Sequence, residues 1–589
     1  MNENLKNMHH EADLCVIGGG FAGMCTAIAA ARHGLKVVIM QDRPVFGGNA
    51  SGEIRMWVCG AHGSNNRETG IMEEICLENL YRNPYRTWPV WDSILYEFVK
   101  QEENITSLLN CSCFDCVMDG DTIREIVGWQ MTTYTFHTVR AKFFADCSGD
   151  SILAPLTGAE YTAGREGREQ YGERIALQTA DKKTMGLSCL IQAREMKEKR
   201  TFIPPKWAHK FTKEDFAHRF DGKIDRPQEN FWYLELGGTR DTIADTEEIR
   251  DELIKIAYGM WDYIKNSGEC NADNWELDFV GFLPGKRESR RYIGDYVMTE
   301  NDVRACGKFD DLVAFGGWTM DDHDPEGIGT RERPNIHHPA PSPFGIPYRS
   351  LYSKNIGNLF FAGRNISVTH CAMSATRVMA TCATIGQAVG TAASLAVKYG
   401  LSPRGVYKER IGELKQLLME DGCYLPGNTL QLPELMKNAQ IMTNGEHAEL
   451  LINGHERQIG EDANCWRGKV GDYIEIRFDQ CQWVEQVRIV LDSDLDRKTI
   501  GGGSYLPEKA TIANVPANLQ PVHVPETLVK DMRIEVLDEN GKYGTAAEVP
   551  ENHQRIVTAA IGRECRGIRL TPLSTHGSEV VNVFSVIVK

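Results

Sequence analysis

One glycine-punctuated stretch near the start of the chain constrains the fold more than any other part of it. Residues 12–17 form a short apolar run, and GGGFAG follows at 18–23. Then come MCTAIAAARHG, rich in alanine and closing at Gly34, and LKVVIM, a second run rich in β-branched residues. Strand, glycine turn, helix and strand in that order predict a βαβ unit. Gly34 stands where a helix-terminating glycine belongs. Gly18, Gly20 and Gly23 keep the spacing of a dinucleotide-binding turn. In such a turn the first glycine bends the chain and the second lets backbone approach a pyrophosphate. The third lets helix and strand pack closely. The helix N-terminus then faces the phosphate charge. A tight turn without a ligand is the competing reading, and the placement between a strand and a helix argues against it.

The rest of the chain reads as further modules. At about 150 residues per unit, its 589 residues allow three to four of them. PVFGGNASGEIRMWVCGAHG (44–63) is loop-like at first, a helical tract runs from Met72 through Tyr81, and 105–147 reads as hairpins ending at Gly149-Asp150. Between about 185 and 285 the chain turns aromatic and charged, with an expected strand at FWYLEL (231–236) and an amphipathic helix near 246–266. There Ile249, Leu253, Ala257, Trp261 and Ile264 recur at helical spacing, the pattern of a core face. From 357 the parallel-sheet pattern returns. GNLFFAGRN reads as strand then glycine turn, and Ala375 to Ala396 as one long helix whose small residues allow close approach of a neighbour or a ligand. After about 430, YIEIRF, VEQVRIVL, MRIEVLD, GIRLTPL and VVNVFSVIV alternate as strands, the signature of an all-β sandwich.

The expected fold class is therefore α/β, with a discontinuous Rossmann-like nucleotide-binding fold in two parts, 1–185 and 286–425. An inserted α+β substrate domain (186–285) and a C-terminal all-β sandwich (430–589) complete it.

A net charge of −16 speaks against nucleic acid as a partner. No stretch offers the roughly 18 consecutive apolar residues of a membrane span. The N-terminus, MNENLKNMHHEAD, is polar and lacks the apolar core of a secretion signal. Seventeen cysteines, odd in number and scattered, do not read as a disulfide framework, so a cytoplasmic location is expected. Cys111, Cys113 and Cys116 lie close together but without a fourth ligand, and no metal site is expected.

A second glycine turn, AGRN at 362–365, again follows a strand and precedes a helix, more than 300 residues after the first. An NAD domain is normally one continuous block, and a late turn departs from that layout. Five stretches carry a resemblance. They are VIGGGFAGMCTAIAAARHG, DRPVFGGNASGEIRMWVCGAHG, FADCSGDSILAPLTGAEYTAGRE, GKRESRRYIGDYVMTENDV and IPYRSLYSKNIGNLFFAGRNISVTHCAMSATRVMATCATIGQAVGTAA. Covering 12–400 in pieces, they resemble an FAD-dependent oxidoreductase family of the glutathione-reductase-like flavoprotein superfamily. With no CxxC beside the first turn, the disulfide-reductase branch is not expected.

The resemblance implies FAD and assigns residues to it. Gly18, Gly20, Phe21, Ala22 and Gly23 surround the pyrophosphate, and Gln41, standing where an acid is usual, or Asp42 reaches the adenosine ribose. Arg43, Gly47, Gly48 and Asn49 line the loop beside the flavin, and Asp150 lies near the phosphates. Gly363 and Arg364 approach the ribityl and flavin end, with Asn365 near the place where relatives use an acid. A flavin attached covalently through His or Cys is left open. NCWRGKVGDYIEIRFDQCQWVEQVRIVLDSDL and CRGIRLTPLSTHGSEVVNVFSVIV resemble the outer strands of a discoidin-type, galactose-binding-like β-sandwich. Such modules often bind carbohydrate, and a structural or dimerising appendage is the alternative.

A flavin supplies the redox step, so the protein must place the reacting carbon and move one proton. Histidine suits the proton. His370 in SVTH ranks first, ahead of His323 in GGWTMDDHDP, whose flanking Asp321, Asp322 and Asp324 would raise its pKa and orient it. His62 in CGAHG comes third, and His337-His338 in a Pro-rich loop reads as surface or lid. For each, a hydrogen-bonded structural histidine is the competing reading. Arg290, Arg349 and Arg377, with Arg291 beside them, are candidates to bind an anionic substrate or the flavin N1–O2 edge; Arg290 and Arg291 read equally as ion-pair partners. The expected activity is hydride transfer between flavin N5 and a small polyhydroxylated molecule, a carbohydrate or glycoside. Reduction of an unsaturated carboxylate, in the manner of fumarate reductase, and carbohydrate binding without catalysis at a degenerate flavin site are the alternatives. The electron acceptor and a homo-oligomeric state are left open.

Overall fold

The computed structural model describes residues 5–495 and 510–589. The chain divides into two compact units. Unit one comprises Met1–His62, Tyr85–Lys415 and Lys509–Gln520, and unit two Gly63–Pro84, Gln416–Glu508 and Pro521–Lys589.

Unit one begins as the glycine pattern predicts. Strand β1 (Lys6–Ile17), helix α1 (Phe21–Arg32) and strand β2 (Val37–Met40) form the βαβ unit. The strands pair in parallel, Leu14 opposite Val37 and Ile17 opposite Met40, and all eight residues of the paired stretches are buried. Buried on both faces, such strands carry an unbroken apolar run. Strands β3 (Ile105–Leu108), β4 (Cys111–Asp119), β5 (Thr122–Gln130) and β6 (Thr135–Asp146) extend the sheet in the order β3-β2-β1-β6-β5-β4. Its centre is parallel and its β4-β5-β6 flank an antiparallel meander.

In the middle of unit one, helix α2 (Thr246–Asn266) buries Ile249, Leu253, Ala257, Trp261 and Ile264, the face its periodicity predicts. Trp261 packs in one cluster with Phe216, Phe231 and Trp275. The expected strand over 231–236 shrinks to Glu235–Leu236. Phe231 takes a left-handed backbone, φ 60°, while its ring is fully buried, so aromatic packing overrides the strand propensity here. Strands β7 (Met320–His323) and β8 (Asn335–His338) then form an antiparallel ribbon.

The chain returns to the first sheet at β9 (Leu359–Phe361), which pairs in parallel with the end of β6. The single helix expected over 375–396 is two. His370–Thr376 ends, Val378 is extended, and helix α3 (Met379–Tyr399) begins. The Cys382 thiol satisfies the carbonyls of Thr376 and Arg377 that the break leaves over. α3 crosses α1 at very short range. A Cβ at Gly386 would lie 2.1 Å from the Ala22 carbonyl oxygen, and one at Gly390 2.3 Å from that of Thr26. The small residues of α3 thus serve a neighbouring helix. Although α3 is long and apolar enough to span a membrane, it is buried within its unit.

Unit two is built on antiparallel strands: β10 (Gln440–Thr443), β11 (Trp466–Lys469), β12 (Ile474–Leu491), β13 (Val529–Leu537), β14 (Tyr543–Val549), β15 (Ile556–Thr575) and β16 (Val580–Val588). They make one sheet in the order β11-β16-β12-β15-β13-β14, with β10 on β12. The long β12 and β15 pair through two bulges, which bend strands and sharpen their twist. Helix Ile71–Arg82 belongs to this unit, with Tyr81 stacked on His553 at 4.0 Å and Glu78 bonded to the same ring at 2.6 Å.

Candidate active site

A cavity of about 680 Å³ lies in unit one. Its walls bring together segments far apart in the chain: both glycine turns, Gln41–Arg43 after β2, Gly47–Asn49, Gly149-Asp150 after β6, and Gly363-Arg364 after β9. Gly18, Gly20, Phe21 and Ala22 line it as well, whereas Gly23 and Asn365 stand behind its wall.

The three early glycines have different physical jobs. Gly18 has φ +98°, and a Cβ there would lie 2.4 Å from the Cys147 carbonyl oxygen. At Gly23 a Cβ would lie 1.8 Å from the Gly18 carbonyl oxygen, so this glycine closes helix onto strand. At Gly20 a Cβ would meet nothing nearer than Gly48 Cα at 3.8 Å. Gly20 therefore keeps space open in a cavity wall. Above it α1 starts with no side-chain cap and no acid in its first turn. α3 starts the same way, and Val378, Met379 and Cys382 line the same cavity. Both helices thus bring uncancelled positive dipole ends to it.

Side chains near the turns are firmly held. Asp150 accepts from Arg364 Nη2 at 2.6 Å, Lys286 Nζ at 2.8 Å and Ser289 Oγ at 2.8 Å. Burial opposes its charge, but Arg364 and Lys286 outweigh burial and hold its pKa below the usual carboxylate range. Gln41 is buried. It accepts from Gly19 N at 2.7 Å and donates to the Val45 carbonyl at 3.2 Å, so its amide braces the glycine loop. Asp42, its side chain 61% exposed, is the acid at the cavity edge.

The other end of the cavity is built from charge. Arg287 pairs with Glu235 at 2.9 Å, and the other oxygen of Glu235 takes His323 Nδ1 at 2.8 Å. His323 Nε2 donates to Asp321 Oδ2 at 3.0 Å, which also accepts from Arg377 Nη2 at 3.1 Å. With a carboxylate on each nitrogen, His323 is an imidazolium. Burial works against its charge, but Glu235 and Asp321 raise its pKa. Asp321 in turn is held ionised by His323 and Arg377 against its own burial. The ribbon register sets Asp321 opposite His337 and His323 opposite Asn335, so all four share a face. Asn335 Nδ2 donates to Asp321 Oδ1 at 2.5 Å and to His337 Nε2 at 3.1 Å. His337 Nδ1 lies 2.9 Å from Thr319 Oγ1 and 3.4 Å from Asp321. His337 Nε2 is thus an acceptor, its one lone pair engaged by Asn335 Nδ2.

The profile of a family described as FAD dependent oxidoreductase matches residues 13–418, more than half of the chain and every wall of the cavity. The chain belongs to the FAD dependent oxidoreductase family. Comparison with curated proteins gives no match. Several solved structures resemble about a quarter of this FAD dependent oxidoreductase. The family 32 carbohydrate-binding module of Streptococcus pneumoniae EndoD is 13% identical, over 26% of this chain and 97% of that one, with a TM-score of 0.19. The family 32 module of Clostridium perfringens NanJ, in complex with galactose, is 11% identical over 26% and 94%, TM-score 0.18. A fucose binding module of Streptococcus pneumoniae, SpX-3, is 11% identical over 27% and 98%, TM-score 0.19.

The lining of this oxidoreductase fits a dinucleotide. Gly20 leaves a cradle that a Cβ would enter, and Arg43 Nη1 and Arg364 Nε are buried donors without a partner. Not every expected residue reaches the cavity. Both nitrogens of His370 are taken, Nδ1 by Glu288 at 3.0 Å and Nε2 by Asp322 at 3.1 Å. Burial opposes its charge, but Glu288 and Asp322 push its pKa up to about 10. It lies outside the wall and holds its proton, so this geometry gives it no role as a base. His323 lines the cavity but is occupied in the same way. His62 is exposed and stacks on Trp318 at 4.3 Å; only Trp318 lines the cavity.

Among the arginines, Arg290 and Arg377 line the cavity. Arg349 lies outside it, clamped to Asp311 at 2.9 and 3.0 Å. Arg291 is buried between Glu166 and Glu288. Sequence reading missed Glu235, Lys286, Arg287, Trp232 and Trp318. For His337 a signal existed: Asn335 and His337 alternate in a strand opposite Asp321 and His323.

Proposed function

We propose that this chain binds FAD along the cavity and transfers a hydride between the flavin and a small polyhydroxylated substrate. One observation carries the reading: two glycine turns more than 300 residues apart, and the starts of two helices, line one cavity whose far end is polar and aromatic. In this reading, 1–185 and 286–425 form a Rossmann-like fold interrupted by 186–285. Gly18, Gly20, Phe21 and Ala22 surround the pyrophosphate at the start of α1. Asp42 takes the adenosine ribose, and Gln41 braces the glycine loop beside it. Arg43, Gly47, Gly48 and Asn49 flank the flavin, Asp150 stands near the phosphates, and Gly363 and Arg364 hold the ribityl end.

The flavin, when bound, supplies the two-electron acceptor. The rest falls to the chain. Trp232 and Trp318 offer flat apolar faces to a ring, and Asn335 and Arg377 orient its hydroxyls. His337 Nε2 receives the hydroxyl proton once the substrate hydroxyl takes the place of Asn335 Nδ2 on its lone pair, and Asp321 orients the imidazole and steadies the charge it gains. His323 keeps Asp321 ionised. Arg287 and Arg377 also favour a second reading, reduction of an unsaturated carboxylate held by the two guanidinium groups.

The test is anaerobic. The purified protein should be yellow, and one member of a panel of sugars and sugar acids should bleach it. If dithionite-reduced protein is reoxidised by an enoate while the panel is inert, the second reading replaces the first. Colourless folded protein that takes up no FAD ends both.

A further inference from the structure

Five ionisable groups at the substrate end alternate in sign: Arg287, Glu235, His323, Asp321 and Arg377, each within 3.1 Å of the next. The series begins and ends on a cation, so positive charge exceeds negative by one. Both terminal arginines line the cavity, while Glu235 stands behind its wall. Glu235 Oε1, behind the wall, is a buried acceptor without a hydrogen bond, but among the residues that line this end the buried side-chain atoms left unpartnered are donors. Arg377 Nε and Trp318 Nε1 are buried without a partner, and both residues line the cavity. Buried donors left unpaired cost free energy, as does surplus buried charge. A second cluster, with Glu166, Glu288, Arg291 and His370 buried and Asp322 partly exposed, has the opposite surplus, but none of its members lines the cavity.

We infer that the substrate carries a carboxylate, so that a sugar acid is taken in preference to a neutral sugar or glycoside. A hydroxyl brings a donor with every acceptor, whereas a carboxylate only accepts. It therefore answers both the unpaired N–H groups and the surplus charge, through charge-assisted bonds. This inference rests on the proposed function for the place of the flavin, but the arginines and Trp318 bind the anion in either direction of the reaction.

The test is binding, read as the rise in unfolding temperature and, in FAD-loaded protein, as a perturbed flavin spectrum. The probes are D-glucuronate against D-glucose, with glycolate as the bare carboxylate. D-glucuronate should bind roughly tenfold or more tightly than D-glucose. Arg377→Gln should abolish that preference, Arg377→Lys restore part of it, and Trp318→Phe, which deletes only the indole N–H and part of the ring, reduce it. Equal binding of acid and sugar, failure of both carboxylates to bind, or a preference unchanged in Arg377→Gln overturns the inference. Folded protein that takes up no FAD on titration, but whose unfolding temperature still rises with D-glucuronate, would retire the flavin reading and leave this one standing.

Discussion

The two ends of the cavity are built by opposite means. At the glycine end the surface is backbone: two turns, two helix starts, and positions such as Gly20 where the absence of a side chain is the feature. At the far end it is side chains from separate segments, tied together by alternating charge. A backbone surface binds what every dinucleotide shares. A side-chain surface can be respecified one residue at a time, so cofactor and substrate specificity can change independently.

The largest effect should come from breaking the backbone end. Gly23→Val places a Cβ where only 1.8 Å separates it from the Gly18 carbonyl oxygen, and neither folded unit one nor flavin should survive. Gly20→Ala sharpens the contrast. Its Cβ meets protein no closer than 3.8 Å, so far-UV circular dichroism should be unchanged while flavin content in the purified protein falls. Equal tolerance of both changes would mean that the turn holds no ligand.

At the charged end, removing a partner should cost stability and leave the flavin. Glu235→Gln strands Arg287 beside an imidazolium, and breaking a buried pair costs about 3–5 kcal/mol, readable by denaturant unfolding. The pH dependence has a definite sign. Each of the two bridging histidines has a folded pKa above its ordinary value of 6.5, that of His370 about 10. Their contribution is therefore complete below about pH 6.5 and lost as pH rises through the folded pKa, for His370 near 10. The unfolding temperature should fall across that window, and His370→Asn should flatten the fall.

A smaller effect separates chemistry from architecture. His337→Gln should slow substrate-driven flavin reduction by roughly 10²-fold while flavin content stays intact, as for loss of one acid–base group. Stopped-flow absorbance would read it, and a change of less than a few-fold removes His337 from the mechanism.

The same contrast explains what could be read from the sequence. The βαβ unit and the second turn were legible because backbone geometry demands glycine at fixed spacing between apolar runs. The face of α2 was legible because periodicity reports burial. The break at Val378 was not, since it depends on a thiol capping carbonyls across the gap. Nor was the turn at Phe231, where ring packing decides the backbone. His370 was attractive for its place after the glycine turn, but local order says nothing of Glu288 or Asp322, which occupy its ring. Glu235 lies in none of the five stretches that carry the resemblance, and Arg287, though inside GKRESRRYIGDYVMTENDV, has no role that can be read there, because the role of both exists only once β7 and its neighbours have assembled. Local spacing likewise gives no hint that helix Ile71–Arg82 belongs to unit two, or Lys509–Gln520 to unit one.

The smallest effect tests the one position where the backbone end needs a side chain. Gln41 occupies the usual place of the ribose-binding acid, but both ends of its amide are spent on Gly19 and Val45. The ribose contact then falls to Asp42, whose side chain is 61% exposed. A hydrogen bond made in contact with water contributes about 1 kcal/mol, so Asp42→Asn should weaken FAD binding only a few-fold. Gln41→Glu would place a carboxylate beside the Gly19 N–H while breaking the bond to Val45, since a carboxylate cannot donate. If fluorescence titration of apoprotein ranks Gln41→Glu as the more damaging change, Gln41 acts through the loop it braces. If Asp42→Asn abolishes binding and Gln41→Glu is neutral, the ribose is held more tightly, and by fewer groups, than a backbone-built site implies.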